Sequence, residues 1–145
     1  MIADDDTDNL GWWFSISDTL PHGDGRKIVI GETLTVEGPI VPCERGLHDC
    51  PDPFDALQYA PGALLWRVRR GGVSVQDGDK WASSERTALA KRDATEMLRA
   101  FERVAAGAAA HAAAWAAAWD ARAAAWAAAR KLFNEMVAEL FEGVE

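Results

Sequence analysis

Hydrophobic and polar positions change their rhythm once along the chain, near residue 87. Before it, apolar residues tend to alternate with polar ones in short runs broken by Gly and Pro, the period-two pattern of strands. After it they recur every three or four residues, the period of a helix. Trp12 to Ile16, Lys27 to Ile30 and Thr33 to Glu37 are expected strands, with a short one at Ile40 and Val41. Leu64, Trp66 and Val68 alternate with Leu65, Arg67 and Arg69, which predicts a strand with one buried face. Gly71-Gly72 then predicts a hairpin turn into Val73–Gln76, and Asp77-Gly78-Asp79 a further turn. Asp52 before Pro53 is an N-cap followed by proline at the first helical position, so a short helix is expected from Pro53 to Tyr59.

Beyond residue 87 alanine dominates, making up roughly three residues in four from Ala105 to Ala129, and it is the strongest helix former. Met97, Phe101, Val104, His111, Trp115, Trp119, Trp126, Phe133, Val137 and Leu140 fall on one helical stripe. An unbroken helix from Thr95 to Phe141 would be about 70 Å long. A domain of this size has a radius of gyration of about 13–15 Å. The chain therefore either breaks near Gly107 into an αα-hairpin or pairs its stripe with another chain. The expected fold class is α+β: a small, mostly antiparallel sheet with one short helix, then a long Ala/Trp-rich helix or hairpin. The expected divisions are an acidic tail at 1–9, a β-rich domain at 10–86 and a helical region at 87–145.

Charge narrows the function classes. The 145 residues carry 23 acidic and 15 basic groups, a formal net charge of -8. Direct nucleic-acid binding needs clustered Lys and Arg and is not expected. The longest apolar run is interrupted by Asp120 and Arg122, so no membrane span is expected. The acidic start lacks the pattern of a secretory signal, which suggests a cytoplasmic protein.

Three motifs carry a resemblance. Cys43-Glu44-Arg45-Gly46-Leu47-His48, then Asp55-Ala56-Leu57-Gln58-Tyr59-Ala60-Pro61-Gly62, then Ser84-Glu85-Arg86-Thr87 resemble a family of uncharacterised proteins carried by phages and prophages. The resemblance spans roughly residues 11–135 and includes the Ala/Trp tract. It implies a phage accessory protein acting inside an infected or lysogenic bacterium, and it implies no particular activity.

Four constellations could carry chemistry. Cys43, His48 and Cys50 are residue types that suit zinc, though C-x4-H-x-C is not a common zinc spacing. His48, Tyr59 and Glu85 occur in an order similar to that of ADP-ribosyltransferases of the His-Tyr-Glu kind. That likeness implies a His holding the NAD ribose, a Tyr stacked on nicotinamide and a Glu supporting an oxocarbenium-like transition state. Arg67, Arg69 and Arg70 are a basic cluster, more often a solvated strand face than an anion site. The interaction candidates are Trp115, Trp119 and Trp126 on the helical stripe, and Asp49, Asp52, Asp77 and Asp79 in acidic turns.

The leading expectation is a non-enzymatic acidic accessory protein. It would bind a host protein or protein–nucleic-acid complex, such as a defence nuclease in the manner of anti-CRISPR proteins. No cofactor is expected under that reading. The alternatives are an NAD-consuming transferase using His48, Tyr59 and Glu85, and a structural oligomer, including a homodimer, through the Trp stripe.

Overall fold

A computed structural model describes residues 8–114 and 119–143. Its contacts divide the chain between Asp93 and Ala94. The division falls later than the change in composition, because a strand runs on through the alanines at 88 and 90. The expected tail lies almost wholly outside the described residues, which begin at Asp8.

The first unit is an antiparallel sheet built on one long hairpin. Strands β1 (Leu10–Ser15), β2 (Thr33–Thr35) and β3 (Leu47–Asp49) precede helix α1 (Pro53–Leu57). Strands β4 (Leu64–Asp77) and β5 (Lys80–Asp93) follow. The order is β1-β4-β5-β2, and β3 also pairs with β5, beside β2 along the same edge. Cys50, just past β3, exchanges two backbone hydrogen bonds with Trp12 of β1, at 2.8 and 2.9 Å. The path β1-β4-β5-β3 therefore closes on itself. Closure satisfies backbone groups that an open edge would leave for other chains.

Gly71-Gly72 does not make the expected hairpin turn. β4 passes straight through it with a shift of register between Gly71 and Ser74, and the chain reverses at Asp77-Gly78-Asp79 instead. Gly72 has φ 67°, which glycine adopts without penalty, so the pair makes a bulge. Lys27–Ile30 is not a strand either. Thr19 and Lys27 form an isolated bridge, and Ile28 is buried. Val41 likewise makes only a bridge to Arg45. The Ser84–Thr87 segment lies within β5.

The core cluster comprises Leu20, Ile28, Leu47, Trp66, Val68 and Ala88, with Trp13, Leu34 and Val36 packed against it. Leu20 and Ile28 come from the connection between β1 and β2, which thus lies over this part of the sheet. Each large apolar side chain so buried contributes about 1.5–3 kcal/mol. The Trp66 indole is buried and keeps its polar end satisfied by donating to Ser15 Oγ at 2.8 Å. The predicted cap is present: Asp52 Oδ1 accepts the Phe54 N–H at 2.8 Å and starts α1.

The second unit contains α2 (Thr95–Ala114) and α3 (Trp119–Leu140), which contact each other. Phe101, early in α2, meets Phe133, in the later half of α3, edge to face at 5.0 Å. That is the pairing of an antiparallel helical hairpin. No break occurs at Gly107, around which α2 is continuous. A Cβ built on Gly107 meets nothing within 4 Å. Gly107→Ala is therefore expected to raise stability by about 0.5–1 kcal/mol through helix propensity alone. A thermal or urea melt checks it, and a loss of stability would mean that α2 is not helical there. Neither helix is long and apolar enough to cross a membrane. Trp115 and the Trp119 side chain lie outside the described residues. Trp126 is 63% exposed.

Candidate functional site

Strand β3 and the β4–β5 turn bring a set of reactive side chains to one end of the sheet. The tight turn before β3 is held by the Val41–Arg45 bridge, and it places Cys43 at φ 71°, a left-handed conformation that costs a non-glycine residue energy. His48 Nε2 accepts the Cys43 backbone N–H at 3.0 Å, which puts the ring proton of the neutral imidazole on Nδ1. Register places His48 opposite Ala82, two residues beyond Lys80. The Lys80 ammonium donates to Cys43 Sγ and sits 4.8 Å from the centre of the Tyr59 ring. Tyr59 in turn donates from its hydroxyl to Asp79 Oδ1 at 2.8 Å, and Gln58 Nε2 donates to Asp79 Oδ2 at 2.5 Å. Cys43, His48, Tyr59, Asp79 and Lys80 thus form a connected group joining three segments.

Each titration shift has a visible cause. The hydrogen bond to Asp79 pushes the Tyr59 phenol up to about 12. The bond to the Cys43 sulfur raises Lys80. Burial lowers His48, helped by the positive charges of Lys80, Arg86 and His22. The consequence for stability follows from proton counting. Between the depressed folded value and the ordinary 6.5, the unfolded chain binds a proton that the folded chain refuses. Stability is therefore expected to fall as pH drops below about 6.5, by at most about 1.4 kcal/mol per pH unit. Urea midpoints at pH 7.5 and 5.5 test this. His48→Gln, which keeps an acceptor but no titratable ring, should flatten the difference.

The other expected site residues are placed elsewhere. Glu85 pairs with Thr35 and Gly71, five residues along β5 from Lys80, or about 16 Å of strand. The structure therefore brings His48 near the Tyr59 group but places Glu85 well along the strand from it. Cys50 is buried, and burial pushes its thiol up to about 12. Among the described residues no three His, Cys, Asp or Glu side chains are grouped as a metal ion requires. Asp52 serves as the α1 cap, and Asp77 is exposed in the β4–β5 turn.

Asp49, expected on the acidic surface, is instead 2% exposed and forms an ion pair with Arg70. Arg70 Nε donates to Oδ1 at 3.1 Å, and Nη2 donates to Oδ2. Arg70 Nη1 also donates to the Asp8 carbonyl at 2.8 Å. Arg86, 3% exposed, donates to the His48 carbonyl at 2.7 Å and stacks 4.0 Å over Trp13. Burial pulls its guanidinium down to about 10 against the field of Asp49. The same burial pushes the Asp49 carboxyl up, opposed by Arg70, Arg86 and Arg67. Arg67 over Trp12 at 4.4 Å and Arg70 over Trp81 at 4.8 Å continue the pattern. The basic residues of β4 are largely engaged by tryptophans and a carboxylate, which favours a structural role for them over anion binding.

Lys80 and Arg86 join these groups through strand register rather than through any short motif. Lys80 follows an Asp-Gly-Asp turn, and that position was its only local signal.

One family model, described as a domain of unknown function (DUF7666), matches residues 23–100. No curated protein and no solved structure matches.

Proposed function

The chain belongs to the DUF7666 family, and from that footing we propose that it is a non-enzymatic phage accessory protein whose acidic sheet end binds a host macromolecular complex. The observation that carries this reading is the tie between α1 and the β4–β5 turn. Asp79 accepts from both Gln58 and Tyr59, so the helix bearing Asp52 and Asp55 and the turn bearing Asp77 are held together. Carboxylates on a fixed frame lose little side-chain freedom on binding and present a steady negative field. The partner would be a basic surface inside the bacterial cell, such as the groove of a nuclease complex that ordinarily holds nucleic acid. The separation of Glu85 from the Tyr59 group favours this reading over the transferase.

The test uses the partner retained from a nuclease-treated bacterial lysate. Asp55→Lys with Asp77→Lys, which spares the cap and the Asp79 bonds, should slow association with that partner about tenfold and flatten its salt dependence. An unchanged rate and salt slope would remove the acidic end from the interface. Nicotinamide release from NAD that disappears in Glu85→Gln would replace the binding reading with the transferase.

A further inference from the structure

We propose that Cys43 and Lys80 are a peroxide-responsive pair that closes a covalent Nζ–Sγ cross-link between the turn before β3 and the start of β5. The two groups already touch, although 37 residues separate them in sequence. Each is held by contacts of its own. Cys43 sits in the Val41–Arg45 turn with its N–H on His48, and the Lys80 ammonium is placed over the Tyr59 ring beside the β4–β5 turn. Cys43 is exposed, so an oxidant in solution reaches it, and a cationic amine beside a sulfur is the setting of reactive thiols. Cys50 is buried, and its raised thiol stays protonated and unreactive.

The chemistry needs one equivalent of hydrogen peroxide. The Cys43 sulfur attacks one peroxide oxygen, the O–O bond breaks, and hydroxide leaves as water with the thiol's proton. Sulfur is oxidised by two electrons to the sulfenic acid, and the peroxide is reduced. Lys80 then sheds its ammonium proton to solvent. Oxidation of the sulfur weakens the hydrogen bond that had favoured the protonated amine. The Nζ lone pair attacks Sγ, the S–O bond breaks, and the hydroxyl leaves as water with an amine proton. The sum is one thiol, one amine and one peroxide giving a sulfenamide and two waters. The link would fasten the turn before β3 to the acidic end, and it does not depend on what that end binds.

The full chain is treated with equimolar hydrogen peroxide and digested with trypsin without reductant. The expected product joins peptides 28–45 and 71–86, with cleavage after Lys80 blocked and a mass two hydrogens below the sum of the two peptides. Dithiothreitol should release it. Cys50→Ser should still give the product, whereas Lys80→Arg, which keeps the charge, should abolish it. Recovery of Cys43 as sulfinic acid, or in a disulfide, with Lys80 still cleaved by trypsin would overturn the proposal. Because the unmodified sequence alone gives this answer, misfolding of a variant cannot obscure it.

Discussion

Asp49→Asn is expected to cost about 3–5 kcal/mol of folding free energy, the range for breaking a buried ion pair from one side. The substitution keeps the shape of the side chain and removes only its charge. Two guanidiniums then remain in the interior with no counter-ion, because both Arg70 and Arg86 feel the Asp49 carboxylate. Arg70→Met should cost less than Asp49→Asn. It leaves one carboxylate that still has Arg86 in its field, and methionine fills part of the vacated volume. Urea unfolding of both variants gives the ranking. If both cost under about 1 kcal/mol, water reaches the pair and screens it. Typical domains are stable by about 5–15 kcal/mol, so either substitution removes a large share of what holds the sheet together.

Gly11→Ala should be comparably damaging despite adding one methyl group. A Cβ at Gly11 would lie 1.7 Å from Asp49 Oδ2 and 2.6 Å from its Cγ. Neither backbone nor carboxylate has room to yield, since Asp49 is pinned by two bonds from Arg70. Relief requires Asp49 to leave its partner, so the expected cost is again about 3–5 kcal/mol. The mechanism is checked by a double-mutant cycle. In an Asp49→Ala background the alanine at position 11 should cost far less, with a coupling of about 2–3 kcal/mol. Additive costs would mean that Gly11 is needed for its backbone and not for the space it leaves.

These two residues also show where sequence reading reaches its limit. Local signals with one physical meaning were legible. Asp52-Pro53 starts α1, the Leu64–Arg69 alternation lies in β4, and the described part of the Ala-rich tract is helical, although whether Gly107 would break it was not legible. Signals with two meanings were not. Gly71-Gly72 and Asp77-Gly78-Asp79 are both good turns in isolation. Only the register of the fourteen-residue strands makes the first a bulge and the second the reversal. Ala88 and Ala90 favour helix by propensity, yet they are buried in strand β5. Asp49 read as a surface acid because burial of a charge is decided by distant partners, here Arg70 and Gly11. The Tyr59–Asp79 and Lys80–Cys43 contacts likewise depend on the hairpin register, which no short motif records.

The closed strand path has a consequence for how the chain is made. β4 and β5 adjoin in sequence and can pair as soon as both exist, but β1 pairs with β4 and must wait for it. Ribosomes add about 5–20 residues per second, so β1 is finished about 3–10 s before its partner, about 50 residues later, has been synthesised. During that interval Trp12, Trp13 and Phe14 have no sheet to enter. The ring can close only after β5 has given β3 its place, which makes the Trp12–Cys50 bridge a late event in folding. The nascent chain is thus most exposed to chaperones and to aggregation through its first strand, the segment that the finished ring seals on both sides.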